Sequence, residues 1–175
     1  MKCIIFNEDN LKENEMNQVV VRVKAFIMNS KNELLVASSN GGAQLVGGHV
    51  EEGEQYKDTL QREVLEETGI FLSSEEIPDP FYEVKHYTKN YHGKDMNRLS
   101  DVIYYLVRTD KKPNKDNANL TQMEQDYLFN VQYIPFSDFE DYIKDFLNNE
   151  KEINRGIASE ILFAFEELKK NVSNE

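Results

Sequence analysis

The chain alternates between strand-like and helix-like patterns of hydrophobic residues. Runs rich in β-branched residues, partly alternating with polar ones, predict strands at 2–7, 19–28, 34–39, 81–91, 100–109 and 129–136. Residues 55–68 follow a helical spacing instead, and Gly69 is placed to end this helix as a left-handed cap. We expect Tyr56, Leu60 and Val64, which are four residues apart, to anchor the helix on the sheet.

The last third of the chain predicts two more helices. Ser137 stands as an N-cap before a helical stretch at 138–147. The final helix presents one buried face, formed by Ile157, Ile161, Ala164, Phe165 and Leu168. This mixture of elements predicts an α/β fold, with a mixed sheet and helices packed on its faces. The 175 residues show no linker of shifted composition, so we expect a single domain over 1–175.

Composition and charge narrow the classes of function. The chain has 32 acidic and 20 basic residues and a net charge of −12, which argues against general nucleic-acid binding and against anionic membranes. No apolar run has the length of a membrane span, and the first residues lack the pattern of a secretory signal. Cys3 is the single cysteine, so we expect the protein to reside in the reducing cytoplasm. We also expect Cys3 to have a packing role.

Three glutamates crowd one side of the helix at 55–68. Successive helical residues rotate by about 100°, so Glu63, Glu66 and Glu67 point into one arc of roughly 100°. Like charges at this spacing cost roughly 0.2–0.5 kcal/mol per pair, and the helix dipole opposes them in the C-terminal half. Arg62 is expected to neutralise only one of them. A solvated acidic face and a site for a divalent cation such as Mg²⁺, which prefers oxygen ligands, both fit this geometry.

The wider spacing around these glutamates is more specific. Gly48 is followed after five residues by Glu54, and after seven more by the run REVLEETGI at 62–70. This pattern of nine constrained positions over 23 residues resembles the Nudix box of the Nudix hydrolase family. The resemblance implies a Nudix-type α/β/α sandwich with a mixed β-sheet and a catalytic loop–helix. Val46 departs from the pattern, since many members carry proline before the two glycines.

The resemblance also implies roles for individual residues. Glu63, Glu66 and Glu67 match the metal-binding glutamates, and Gly47 matches a position whose backbone carbonyl often completes the metal shell. Glu54 and Arg62 match a pair that supports the loop against the helix. The implied cofactor is Mg²⁺, or alternatively Mn²⁺.

The implied activity is hydrolysis of a nucleoside diphosphate linked to another group, such as a nucleoside triphosphate, a dinucleoside polyphosphate or a nucleotide sugar. The implied partner is therefore a small nucleotide substrate. The general base stays open between Glu66 on the helix and Glu124, which lies where many members carry a loop glutamate. His49 is expected to be structural or to face solvent.

The sequence says least about the choice of substrate. The basic, aromatic stretch at 85–98 contains Lys85, Tyr87 and Arg98, which could contact phosphates or stack on a base. An ordinary strand pair with a lysine-rich turn explains the stretch as well. The proline that the family associates with ADP-ribose is absent, because Lys85 occupies its position. Tyr87 fits the position associated with dinucleoside polyphosphates.

Two other classes of function compete with the hydrolase. A non-catalytic, nucleotide-sensing Nudix-like domain would commonly lose glutamates of the box, and none is lost here. An isomerase of the same fold would need a catalytic cysteine, and Cys3 is badly placed for that role. The sequence allows a homodimer but contains no feature that requires one.

Overall fold

Seven strands form one mixed β-sheet in this protein, whose computed structural model describes residues 1–173. In chain order the strands are β1 (Lys2–Phe6), β2 (Gln18–Met28), β3 (Glu33–Ser39), β4 (Gly42–Gln44), β5 (Tyr82–Thr88), β6 (Arg98–Arg108) and β7 (Asn130–Pro135). Their order across the sheet is β1-β5-β6-β2-β3-β4, and β7 pairs with β3. Six of these strands, all except β4, lie where the sequence predicts them, with shifts at their ends.

The centre of the sheet is a long parallel pair. Strands β2 and β6 run side by side from Gln18 opposite Arg98 to Met28 opposite Arg108. Strand β5 is antiparallel to β6, and β1 adds to β5 in parallel as the edge strand. Strand β3 is antiparallel to each of its neighbours. Both directions occur in one sheet, as the mixture of elements predicts.

Helices cover both faces of this sheet. They are α1 (Tyr56–Thr68), α2 (Gln122–Asp126), α3 (Phe139–Lys144) and α4 (Glu152–Val172). Leu60 and Val64 of α1 belong to one core, with residues from alternate positions of β2 and β6. Helices α3 and α4 enclose a second core on the opposite face, around Phe26 and Tyr104. The α/β/α sandwich is therefore confirmed, and within residues 1–173 no helix is long and apolar enough to cross a membrane.

The two long helices largely follow their predicted patterns. Helix α1 ends at Thr68, and Gly69 follows with a φ of 70° and an N–H that donates a hydrogen bond to the Leu65 carbonyl at 2.8 Å, which confirms the left-handed cap. The expected buried face of α4 lies in the core, with Ile157 only partly buried. Tyr56 is the exception, since this first residue of α1 is 42% exposed and anchors little.

Three local predictions are wrong. Asp138 precedes α3 in place of Ser137, and its side chain forms no capping bond, because the Ser137 hydroxyl donates to the Asp138 carboxylate. The strand predicted to reach residue 91 ends at Thr88, because Asn90 and His92 adopt left-handed backbone conformations in the turn. Cys3 is exposed and not packed, since β1 lies at the edge of the sheet.

Candidate metal and active site

The loop between β4 and α1 runs beside β2 as if it were another strand. The Ala25 amide donates to the Val46 carbonyl at 2.9 Å, and the Val23 amide donates to the Gly48 carbonyl at 3.0 Å. Gly47 sits between them with a φ of +127°, and an added Cβ would stand 2.2 Å from the Val23 carbonyl oxygen. Only glycine permits this close approach of the two backbones. The sheet therefore fixes the position of the loop.

Glu67 is held against this loop. Its Oε2 accepts a hydrogen bond from the Gly47 amide at 2.8 Å, and the residue is only 8% exposed. Burial raises the pKa of the Glu67 carboxyl to about 7, although the charge of Lys24 and the Gly47 hydrogen bond act in the opposite direction. A buried carboxylate with one backbone donor is poorly compensated, as expected for a group that binds a cation.

Glu63 lies against the next residue of the loop. A Cβ on Gly48 would stand 2.2 Å and 2.5 Å from the two Glu63 carboxylate oxygens. The absence of a side chain at Gly48 is therefore what leaves room for this carboxylate. Burial raises the pKa of Glu63, and the hydrogen bond from Arg62 opposes this effect.

Arg62 joins the loop to the helix. Its Nε and Nη2 donate to the two oxygens of Glu54 at 2.8 Å and 2.9 Å, and Nη2 also donates to the His49 carbonyl at 3.1 Å. Its Nη1 donates to Glu63 at 2.7 Å and to Glu66 at 3.2 Å. Its guanidinium therefore contacts three carboxylates, of which its single positive charge can offset one. The bond from Arg62 lowers the pKa of Glu54 to about 2.

Lys24 is a site residue that the sequence analysis missed. Its ammonium donates to the carbonyl of Leu45 at 3.0 Å and to the carbonyl of Gly47. Its charge lowers the pKa of both Glu63 and Glu67, although burial outweighs it at each. The available signal was the pair Arg22 and Lys24, two charges placed at alternate positions in a strand of valines.

The donor atoms of these residues are of the chemical type that binds a divalent cation. Over residues 1–173, no three or more His, Cys, Asp and Glu side chains are arranged as a metal cluster. Arg62 draws Glu63 and Glu66 towards itself, and Glu67 turns to the Gly47 amide. The donors are nevertheless hard carboxylate and carbonyl oxygens, which Mg²⁺ prefers, on a loop whose glycines leave room for them. The assignment of Gly47, Glu63, Glu66 and Glu67 as ligands stays a prediction.

Glu124 does not lie in a loop, as predicted, but in the short helix α2. Its carboxylate accepts from the Thr121 amide at 2.6 Å and from the Thr121 hydroxyl at 2.8 Å, which caps the helix. Its charge also contributes to the raised pKa of Glu67, so the two carboxylates lie within electrostatic reach. Glu124 therefore acts on the site through its charge, while its carboxylate is hydrogen-bonded to Thr121.

The three predicted substrate residues lie on different faces of the sheet. Lys85 is ion-paired with Glu83 at 3.1 Å and Asp101 at 3.6 Å, and Tyr87 follows it on the same face of β5. Arg98 lies on the other face, which α4 covers, and stacks on Tyr91 with 4.3 Å between its Cζ and the ring centroid. The structure therefore separates Arg98 from the other two residues.

The α/β/α sandwich and the glutamate-bearing loop–helix define a hydrolase class, and the comparisons identify it. Residues 19–155 match the family model of the NUDIX domain. The chain belongs to the Nudix family, and it is a pyrophosphohydrolase acting on phosphorus-containing anhydrides. No curated protein matches it in sequence.

Solved structures agree on the fold. A MutT protein from Methanosarcina mazei is 20% identical with a TM-score of 0.55, over 87% of this chain and 96% of that one. A MutT Nudix hydrolase from Burkholderia pseudomallei is 17% identical with a TM-score of 0.54, over 82% and 98%. An Ap4A hydrolase from C. elegans is 16% identical with a TM-score of 0.55, over 89% and 99%. At these identities the likeness concerns the fold alone.

Proposed function

We propose that this chain is a Mg²⁺-dependent hydrolase of a nucleoside diphosphate linked to another group. Water adds to one phosphorus, the bond to the bridging oxygen breaks, and the products are a nucleotide and a phosphorylated partner. Two contacts between the helix and the loop support the proposal: the Gly47 amide donates to Glu67, and the Glu63 carboxylate occupies the space beside Gly48. Arg62 donates a hydrogen bond to Glu63 next to them.

Each residue has a part in this proposal. Glu63, Glu67 and the Gly47 carbonyl would hold the cation, and Glu66 would join them if Glu124 takes the proton of the attacking water. When bound, Mg²⁺ would neutralise charge on the phosphoryl oxygens. Arg62, fixed by Glu54, orients Glu63 and Glu66, since one guanidinium bonds all three side chains. Lys24 supplies a further positive charge beside the loop.

The proton of the attacking water needs an acceptor, and two glutamates are candidates. Glu66 is 39% exposed at its side chain and is bonded to Arg62 at the longer distance of 3.2 Å, so it is the less constrained of the helix carboxylates. Glu124 reaches the site electrostatically and would first have to leave Thr121. We therefore favour Glu66 and test Glu124 directly below.

The substrate range of the proposal covers nucleoside triphosphates, dinucleoside polyphosphates and nucleotide sugars. Tyr87 supports a dinucleoside polyphosphate by its position, and the C. elegans protein of similar structure is an Ap4A hydrolase. Arg98, on the face that carries Lys24, is the better placed of the predicted substrate contacts, while Lys85 would first have to leave Glu83 and Asp101.

The experiment is a panel of these nucleotides incubated with Mg²⁺, with Mn²⁺, and with a chelator, followed by separation of phosphate products. We expect hydrolysis with either metal and none with the chelator. Glu63→Gln should lose at least about 100-fold in kcat/KM, because it removes a cation ligand. The matched control is Glu75→Gln, which removes the same charge from an exposed glutamate outside the site.

The alternative is a non-catalytic nucleotide-sensing domain. It predicts nucleotide binding in the presence of Mg²⁺ without any products, and equal binding by the wild type and by Glu63→Gln. The complete set of box glutamates favours the hydrolase. Turnover that persists unchanged in the chelator would contradict the proposed role of the metal.

A further inference from the structure

Two arginines lie on neighbouring strands, on the side of the sheet that α4 covers. Arg22 lies on β2 opposite Val102, and Arg98 lies opposite Gln18 at the start of β6. Val102 belongs to the core under α4. Side chains an even number of residues from Val102 on β6, and their paired residues on β2, lie on the same face of the sheet. Burial, and after it the charge of Arg98, lowers the pKa of Arg22. Arg98 therefore acts on Arg22 through its charge, although the two residues lie four register positions apart on the strand pair.

Neither arginine contacts a carboxylate directly within residues 1–173, although the charge of Glu160 acts on Arg22. In the described part of the chain, 1–173, no ion pair or hydrogen bond is formed by the side chain of Arg22 or Arg98. Arg98 is only 9% exposed, its Nε is buried without a partner, and its contact is the Tyr91 ring. A buried cation in this state is costly, so a structural arginine normally has an anionic partner.

The nearest acidic group is already engaged. Glu160 of α4 acts on Arg22 through its charge, but its Oε1 accepts the Tyr104 hydroxyl at 2.6 Å and its Oε2 lies 3.8 Å from His86. The region is therefore locally cationic in a chain with a net charge of −12. Such a local excess of positive charge attracts anions.

These cations continue directly from the catalytic loop. Lys24 contacts the Gly47 carbonyl, and Arg22, two residues earlier on β2, pairs through its backbone with His49 of the same loop. Residues two apart on a strand lie roughly 6.6 Å from each other on the same face. Lys24, Arg22 and Arg98 therefore form a track that leads away from the predicted metal ligands.

We propose that Arg22 and Arg98 form an anion subsite for a phosphate group of the substrate outside the diphosphate that is cleaved. The inference rests on the proposed function and narrows its substrate class to compounds with three or more linked phosphates. Arginine suits this role because its planar fork donates two hydrogen bonds to phosphate oxygens. A nucleotide sugar offers only two phosphates and would leave the pair unused.

The test compares two substrates that differ only in phosphate number, diadenosine tetraphosphate and diadenosine diphosphate. Arg22→Gln should lower kcat/KM for the tetraphosphate by at least about tenfold, mainly through KM, since one charge-assisted phosphate contact is lost. Its effect on the diphosphate should stay within about twofold. Equal losses on both substrates, or no loss on either, would overturn the subsite.

Lys144→Gln is the matched control, because it removes one positive charge from an exposed, ion-paired lysine on α3. We expect it to leave both substrates unaffected. Arg98→Gln removes a buried side chain, so its unfolding midpoint is measured beside its kinetics. Arg98→Lys keeps the charge without the fork and should restore part of the tetraphosphate activity. Arg22→Gln decides the question even if neither Arg98 variant folds.

A binding measurement separates this proposal from the proposed function. Inorganic tripolyphosphate is titrated into the metal-free protein by calorimetry, so that no hydrolysis is required. We expect the wild type to bind and Arg22→Gln to bind at least about tenfold more weakly. If the wild type cleaves no nucleotide of the panel but shows this difference, the hydrolase fails and the subsite stands. Absence of binding, or equal binding by both proteins, overturns the subsite.

Discussion

The Glu67 carboxylate accepts the amide hydrogen of Gly47 at 2.8 Å, which joins the end of the acidic helix to the loop 20 residues before it. This hydrogen bond holds a buried carboxyl whose pKa burial raises more than the charge of Lys24 lowers it. A buried carboxylate destabilises the protein when no cation is bound, and it suits a protein that binds a cation there. It therefore gives the first prediction.

Glu67→Gln should abolish activity without destabilising the fold. We expect at least about a 100-fold loss in kcat/KM, because a cation ligand is removed. The unfolding temperature of the metal-free variant should equal or exceed that of the wild type, since the glutamine oxygen can still accept from Gly47 and no buried charge remains. Differential scanning calorimetry and the panel assay measure the two effects. Glu52→Gln, at an exposed glutamate of the loop, should change neither.

Alanine at Gly47 should lower the stability of the fold, whereas alanine at Gly48 should lower the activity. Gly47→Ala places a Cβ against the Val23 backbone at a positive φ, so it should destabilise the fold by about 1–3 kcal/mol or more. Gly48→Ala meets only the end of the Glu63 side chain, which can move, so activity should fall while stability changes little.

Urea unfolding and kcat/KM are measured for both glycine variants, and Gly156→Ala is the control. No atom lies within 4 Å of a Cβ added at Gly156, and alanine there should stabilise α4 by roughly 0.5–1 kcal/mol. Full activity in Gly48→Ala would show that the position of Glu63 is not critical.

The Glu54–Arg62 pair should make the free energy of unfolding depend on pH in the acidic range. The pKa of Glu54 is lowered from its usual 4.5 to about 2, so its stabilising effect is complete above pH 4.5 and disappears as the pH falls towards 2. The carboxyl is partly exposed, so we expect about 1–2 kcal/mol after solvent screening. The quantity measured is the difference in unfolding free energy between wild type and Glu54→Gln at pH 7, 4.5 and 3 (roughly the range of the shift). A difference that stays constant would contradict the prediction.

Glu124 and Glu66 can be separated as general bases by their variants. If Glu66 is the base, Glu124→Gln should keep kcat within about threefold of the wild type, and Glu66→Gln should lose at least about 100-fold. Asp126→Asn, also on α2 and bonded to Gln122, is the control for small changes in that helix. A 100-fold loss in Glu124→Gln with unchanged substrate affinity would instead assign the proton acceptor to Glu124.

Local patterns were sufficient to predict six of the seven strands, the helices α1, α3 and α4 and the loop–helix unit, but they missed β4 and α2. Gly69 could be placed from sequence because a helix cap depends on neighbouring residues alone, and the spacing of Glu63, Glu66 and Glu67 follows from the geometry of one helix. Ser137 and Tyr56 failed because capping and burial at a helix end depend on what lies beside it. That the whole chain forms one domain stays a prediction.

The contacts of Lys24, Arg22 and Arg98 depended on the tertiary structure. Their strands are adjacent in the sheet although about 75 residues separate them in the chain, and no local pattern encodes that pairing. The same holds for Glu124, whose charge acts on Glu67 although 57 residues separate the two in the chain.

The sequence by itself determined which chemical groups the helix carries and how they are spaced, because backbone geometry turns a fixed interval into a fixed angle. Only the tertiary structure decided which cations face those groups, how deeply Glu67 is buried, and which arginines are left without a carboxylate. Charge compensation and desolvation act through space between distant segments, so they depend on the folded arrangement of the chain.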